Sequence, residues 1–136
     1  MSGVIIDASL AAAWCFPDEQ TDYTNGVLRA VAQTMTAAAP RLWAYEIRNS
    51  VLMGVRRKRL AKSDAQEFLR SIEALHIRLL DPPSYEPIFS LAERYGLTFY
   101  DAAYLDLALR KSQPLASLDS ELCRAAKQAG VELFRQ

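Results

Sequence analysis

The fold is decided by residues 4–14, which read VIIDASLAAAW. The run Val4-Ile5-Ile6 is β-branched and continuously apolar, as expected of a strand that is buried on both faces. Asp7 follows directly, and the segment from Ser9 to Trp14 predicts a short helix that stops before Pro17. A buried strand that passes at once into a helix is the unit from which alternating α/β folds are built.

The rest of the chain repeats this alternation of strands and helices. Further strands are predicted at 35–39, 77–80, 115–118 and 131–134. Helices are predicted at 19–33, from Pro40 in the first turn through Val55, after a cap at Ser63-Asp64, and at 84–95, 100–111 and 120–129. Short connections between alternating elements favour a parallel sheet. We therefore predict one α/β domain over residues 1–136, a three-layer sandwich with a parallel β-sheet flanked by helices on both faces.

Composition limits the classes of function. A chain of 136 residues can bury a core without disulfide or zinc staples, and its 16 basic and 16 acidic residues balance. A nucleic-acid partner would therefore need a local basic patch. Cys15 and Cys123 lack metal-ligand spacing and are expected to be reduced thiols. Neither a signal peptide nor a membrane-spanning run is recognisable, so we expect a cytoplasmic protein without membrane association.

Four carboxylates lie at or near the carboxyl edge of the predicted sheet, which is where α/β proteins bind ligands. Asp7 and Asp119 each follow a strand and precede a helix, so each also suits the N-cap of that helix. Asp101 heads the apolar stripe of its helix, and Glu46 lies among residues that face inward. A carboxylate in such a position is costly unless something pairs with it.

Convergence of these acids would need a counter-charge. Two unit charges about 4 Å apart interact by roughly 4 kcal/mol at a surface-like dielectric. The simplest counter-charge is a hard divalent cation with oxygen ligands, Mg²⁺ or Mn²⁺, and lysines from elsewhere in the fold are the alternative. Asp106 is left out, because it falls off the apolar stripe and Arg110 one turn later predicts a surface ion pair.

Four segments, in order and over nearly the whole chain, resemble the PIN domain, specifically the VapC-like toxins of toxin–antitoxin pairs. The segments are VIIDASLAAAW, LWAYEIRN, LTFYDAAYLDLA and LASLDSELCRAA. The resemblance implies a metal-dependent endoribonuclease that cuts structured RNA. It implies that Mg²⁺ or Mn²⁺ is held by the four acids of the family, which match Asp7, Glu46, Asp101 and Asp119. It also implies a small VapB-like antitoxin as partner and a homodimer. Apolar candidates for the interface are Trp14, Phe16, Tyr45 and Phe68, and packing in the core is the alternative for each.

Further residues take roles from the same resemblance. Ser9, Asn49 and Ser117 match the small polar positions of the family, where they would orient the carboxylates through hydrogen bonds. Helix capping or turn bonding is the alternative for each. The basic run Arg56-Arg57-Lys58-Arg59 predicts contacts with RNA phosphates. Its alternative is a solvated helix C-terminus, where cations complement the helix dipole.

Two other classes of function stay open at this point. A Mg²⁺-dependent phosphotransfer or phosphatase domain also places an aspartate after its first strand. Such a phosphatase would want a second aspartate two residues later, where this chain has Ser9. The other class is a PIN-like module that binds RNA or a protein partner without cutting.

Overall fold

The computed structural model describes residues 2–135, in which strands and helices alternate. The strands of this part of the chain are β1 (Gly3–Ile6), β2 (Thr36–Pro40), β3 (Arg78–Leu80) and β4 (Leu115–Ala116). Its α-helices are α1 (Ala8–Ala13), α2 (Asp22–Gln33), α3 (Leu42–Arg56), α4 (Lys62–Ala74), α5 (Glu86–Tyr95), α6 (Phe99–Lys111) and α7 (Ser120–Gln128). A 3-10 turn at Pro17–Glu19 lies between α1 and α2. None of these helices is both long and apolar enough to cross a membrane.

The strands form one parallel sheet in the order β3-β2-β1-β4. Every residue of β1 is buried. Because successive side chains of a strand point to opposite faces, both faces of the sheet are covered at its centre. The predicted parallel sheet with helices on both faces is therefore confirmed. The carboxyl ends of β1 and β4 meet at one edge, where Asp7 follows β1 and Ser117 follows β4.

Helix α6 is buried on all sides along its middle, rather than on one stripe. Residues 102–108 are all buried, and the helix packs against β1 and β2. This corrects the prediction for Asp106, which is only 4% exposed although it does pair with Arg110 (Nε to Oδ2, 2.8 Å). Asp106 is thus inside the protein, because the face of α6 opposite the apolar stripe is also covered, whereas its partner Arg110 remains exposed.

Two helix starts differ from the prediction because of capping. Helix α2 begins at Asp22 and not at Glu19, because Thr21 and Thr24 form a capping box. In that box the Thr24 N–H donates to Thr21 Oγ1 (3.1 Å) and the Thr21 N–H donates to Thr24 Oγ1 (2.9 Å). Helix α4 starts one residue before Ser63-Asp64, which lie inside its first turn and do not cap it.

Two predicted strand and helix boundaries also change. Pro40 is the buried last residue of β2 and does not lie in the first turn of α3, which begins at Leu42. The strand predicted at 131–134 is reduced to a single parallel bridge between Leu115 and Leu133. Since β4 spans only two residues, it offers the tail little backbone to pair with.

A small second core lies beneath the C-terminal half of α3. It consists of Cys15, Phe16, Val51 and Ala65. Gly54 of α3 makes this packing possible, because a Cβ there would stand 2.5 Å from a carbon of the Phe16 ring. Cys15 is a free thiol in this core. Cys123, which is half-buried elsewhere in the fold, is also a free thiol, so the expectation that both cysteines are reduced agrees with the structure.

Candidate functional site

Asp7 lies at the end of the central strand and is only 4% exposed. Its Oδ1 accepts a hydrogen bond from the Leu10 N–H (3.0 Å), so Asp7 does cap α1. Burial raises the pKa of the Asp7 carboxyl more than its hydrogen bonds lower it, and the charge of Asp119 raises it further. The carboxylate is therefore held in an environment that disfavours its negative charge, and the capping role does not remove that cost.

Two serines hold the Asp7 carboxylate. Ser9 Oγ donates to Oδ1 (2.8 Å), and Ser117 Oγ donates to Oδ2. Each hydroxyl also accepts a backbone N–H from the loop after β4: Leu118 donates to Ser9 (3.1 Å) and Asp119 donates to Ser117 (2.9 Å). The serines thus fix Asp7 against the loop that carries Asp119. Ser117 is itself buried, and the orienting role that the resemblance implies for both serines stays a prediction.

Asp119 caps α7, as the sequence suggested. Its Oδ1 accepts the Leu122 N–H at 2.9 Å. Its charge nevertheless acts on the other acids, since it contributes to the raised pKa values of both Asp7 and Asp101. Asp119 therefore both caps α7 and belongs to the group of acids.

Asp101 lies in the first turn of α6, but its carboxylate does not cap the helix. The cap is Thr98, whose Oγ1 accepts the Asp101 N–H at 3.1 Å, and sequence reasoning missed it. The side chain of Asp101 is half-buried, and burial raises the pKa of its carboxyl first, followed by the charges of Asp119 and Asp7. Asp101 therefore faces the other acids rather than a counter-ion.

Glu46 of α3 joins the group through Tyr104 of α6. The Tyr104 Oη donates to Glu46 Oε1 at 2.7 Å. Burial raises the pKa of the Glu46 carboxyl, the Tyr104 bond lowers it, and the charges of Asp101 and Asp7 raise it again. Sequence reasoning had placed Tyr104 only in the apolar stripe. Its spacing of one turn from Asp101 was the available signal that it lies on the same face.

The four acids lie within one another's electrostatic field but do not converge on one point. Within residues 2–135, no three His, Cys, Asp or Glu side chains are arranged as a ready metal-binding group. Protein donors instead engage oxygens of Asp7, Glu46 and Asp119. Over the same residues, none of the four acids takes part in an ion pair. The lysine alternative for the counter-charge therefore finds no support.

Comparison with known proteins decides the family. The sequence model of the PIN domain matches residues 4–128. The chain belongs to the PIN-domain family. This PIN domain is 32% identical to Ribonuclease VapC3 of Pyrobaculum aerophilum over 123 residues, which cover 88% of this chain and 91% of the relative. The resemblance drawn from the four sequence segments is thereby confirmed.

Solved structures share the fold of this PIN domain. PAE2754 from Pyrobaculum aerophilum superposes with a TM-score of 0.72 at 23% identity, covering 91% of this chain and 84% of that one. FitAcB from Neisseria gonorrhoeae gives 0.65 at 18% identity, with 97% and 96% covered. VapBC2 from Rickettsia felis, solved with a DNA fragment from their promoter, gives 0.67 at 15% identity, with 98% of both chains covered.

Two residues of the basic run of this PIN domain line a cavity of about 360 Å³, which none of the four acids lines. Ser9 and Asn49 line this cavity together with Arg57 and Arg59. Asn49 is exposed and lies one turn after Glu46 on α3. The cavity thus connects the surroundings of Asp7 with the basic residues that follow α3.

Arg59 differs from the rest of the basic run, because it is already engaged. Its guanidinium contacts Asp18 (3.0 Å) and Glu19 (2.8 Å) and lies over the Phe16 ring, 4.2 Å from the ring centroid. Residues 56–58 are exposed where α3 ends, and no ion pair among residues 2–135 involves them. The RNA contacts predicted for the basic run stay a prediction, and 56–58 are the residues of the run that are free to make them.

The four apolar candidates for the dimer interface differ in how exposed their side chains are. Trp14 and Phe16 are buried in the cores of the domain, and Phe68 is half-buried between the two cores. Tyr45 on α3 is 79% exposed. Of the four, Tyr45 therefore keeps a side chain that a second protein can contact fully.

Proposed function

We propose that this PIN domain is a divalent-metal-dependent endoribonuclease, the toxin of a VapBC-type toxin–antitoxin pair. The observation that carries the proposal is the buried Asp7 carboxylate after the inner strand β1. It lies in the electrostatic field of Glu46, Asp101 and Asp119 and has no cationic partner among residues 2–135. The naming of the 32% identical relative as a ribonuclease supports the same class of reaction.

The donor set fits a hard divalent cation. It offers carboxylate oxygens, which Mg²⁺ and Mn²⁺ prefer. Burial first, and then the charges of the neighbouring acids, raise the pKa values of three of the carboxyls, and a bound cation would oppose both effects. Mg²⁺ binds through a few carboxylates while it keeps several waters, so the acids need not meet at one point. A bound cation would polarise the scissile phosphate and make a bound water more acidic.

The residues of the chain divide the remaining tasks. Ser9 and Ser117 orient the Asp7 carboxylate, which is the acid most removed from solvent. Asp101 and Asp119 supply the negative potential that attracts a cation to the same edge of the sheet. Hydrolysis by an activated water needs no covalent nucleophile from the protein.

The substrate in this proposal is structured RNA held by its phosphates. The exposed cations at 56–58 lie at the end of α3 away from the acids, and Arg57 lines the cavity that reaches Ser9 and Asn49. The net charge of the chain is zero, so this local patch must attract the polyanion. Unpaired loops of RNA are the usual targets of sequence-specific recognition.

The partners in the proposal are a small VapB-like antitoxin and a second copy of the chain. The VapBC2 proteins from Rickettsia felis, which share this fold, bind a fragment of their promoter. By the same likeness, we expect an antitoxin to accompany this domain in the cytoplasm. Tyr45 is an exposed aromatic candidate for the homodimer contact.

Expression of the domain without a partner tests the proposal. We expect growth arrest together with cleavage of total cellular RNA for the natural sequence, and neither effect for Asp101→Asn. Asp101 suits this test because Thr98 and not its carboxylate caps the helix, so Asn should preserve the fold. The control Asp64→Asn replaces an exposed acid of α4 and should stay toxic. Arrest without RNA cleavage would favour the non-cleaving module instead.

The phosphotransfer alternative is tested on the purified protein. A phosphatase of that class would have an aspartate where Ser9 stands, and the Ser9 hydroxyl is already bonded to Asp7 and to the Leu118 N–H. Release of phosphate from small phosphomonoesters, with no cleavage of RNA, would replace the nuclease proposal with that alternative.

A further inference from the structure

Tyr104 is a buried tyrosine whose hydroxyl group reaches the acid site. It lies on α6 one turn after Asp101 and is 1% exposed. Its Oη donates to Glu46 Oε1 at 2.7 Å, a contact between α6 and α3 across 58 positions of sequence. A hydroxyl that donates to a carboxylate makes one of the stronger kinds of hydrogen bond.

Burial and Glu46 raise the pKa of Tyr104, whereas the backbone N–H of Ala8 lowers it by less, so this N–H also acts on the hydroxyl. Ala8 directly follows Asp7 and is the first residue of α1, where N–H groups have no partner inside the helix. Tyr104 therefore links the segment that carries Asp7 to the side chain of Glu46. A phenylalanine would fill the same space but would lack the oxygen that bonds Glu46 and lies near the Ala8 N–H.

The geometry leaves one oxygen of Glu46 available. Tyr104 bonds Oε1, and no hydrogen bond from residues 2–135 reaches Oε2. The charges of Asp101 and Asp7 act on this carboxylate, so Glu46 is held among the other acids. We propose that Tyr104 is a positioning residue, whose hydroxyl fixes the Glu46 carboxylate relative to Asp7 so that its second oxygen serves the divalent cation. This inference rests on the proposed metal-dependent function.

Tyr104→Phe tests the inference, since it removes only the hydroxyl oxygen and keeps the buried ring. The measurement is calorimetric titration of the metal-free protein with Mn²⁺. We expect the affinity for Mn²⁺ to fall about tenfold or more, as for other groups that orient metal-binding side chains. Tyr85→Phe is the matched control, because it removes the hydroxyl of an exposed tyrosine, and it should bind Mn²⁺ like the natural sequence.

A double-mutant cycle separates positioning from general stability. In the Glu46→Gln background, Tyr104→Phe should weaken Mn²⁺ binding much less than it does alone, because the group that it positions is gone. Glu46→Asp provides a second variant, since the shorter side chain draws the carboxylate away from an intact Tyr104, and it should weaken binding as well.

The outcomes distinguish this inference from the proposal on which it rests. If Tyr104→Phe lowers the melting temperature of the metal-free protein but binds Mn²⁺ with unchanged affinity, the hydroxyl is structural and the inference is wrong. If the natural sequence itself binds no Mn²⁺ and cleaves no RNA with metal, the proposed function fails and the inference fails with it.

Discussion

The hydrogen bonds of Ser117 give a prediction whose size can be worked from the structure. Ser117→Ala removes the buried donor to Asp7 Oδ2 and the acceptor of the part-buried Asp119 N–H. Ser9 still contacts Oδ2 at 3.0 Å, which compensates part of the first loss. A buried group left without its partner costs about 1–3 kcal/mol, so we expect a loss of about 2 kcal/mol in the free energy of unfolding. For a domain of this length that is roughly 8 °C in Tm.

Urea denaturation at neutral pH and at pH 4.5 measures this loss. The loss should shrink at the lower pH, because the bond from Ser117 is stronger to an ionised Asp7 than to a protonated one. Ser90→Ala on the exposed face of α5 is the control and should stay within about 0.5 kcal/mol of the natural sequence. A cost for Ser117→Ala no larger than that of Ser90→Ala would refute the argument that Ser117 holds Asp7.

Three further predictions concern metal, pH and assembly. Millimolar Mn²⁺ should raise the Tm by mass action, and an unchanged midpoint in calorimetry would count strongly against a cation site. The raised pKa values of Asp7, Glu46 and Asp101 mean that the folded protein holds these protons more strongly than the unfolded chain does. Their stabilising contribution is therefore present near pH 4 and is lost as the pH rises through the raised pKa values. The free energy of unfolding of the metal-free protein should thus fall between pH 4 and 7, and it should fall less steeply in Asp7→Asn. Light scattering should give a dimer at high micromolar concentration that Tyr45→Glu weakens, whereas a strict monomer for the natural sequence contradicts the dimer.

The fold was predictable because its strongest signals are local. The apolar run of β1, the following helix and the glycine at position 96 each agree with the structure, where Gly96 takes the left-handed conformation of a helix end. The ends of helices and strands were less predictable, because they depend on contacts with residues that are distant in sequence. Asp106 shows this most clearly, since helical spacing placed it on the surface, whereas packing around all of α6 buries it.

The candidate site was predictable only in part. The positions of Asp7 and Asp119 follow from where the strands end, and their caps from the residue type. The contact of Tyr104 with Glu46 joins two helices that are distant in sequence, so no local pattern could give it. The ion pairs of Arg59 with the 3-10 turn at 17–19 are also tertiary contacts. The sequence alone therefore could not distinguish Arg59 from the other basic residues as a contact for RNA.

The most direct test of the metal-dependent nuclease is cleavage of one defined RNA by the purified variants, with Mn²⁺ or with EDTA. We predict that the natural sequence and Asp64→Asn cleave it only with metal. Asp7→Asn and Asp101→Asn should lose about 1000-fold or more in rate, since Lewis-acid stabilisation contributes several kcal/mol and each 1.4 kcal/mol is about tenfold. Their folds should persist, because Asn is itself a good N-cap at position 7. Full activity of both variants, or equal cleavage in EDTA, would contradict the assignment.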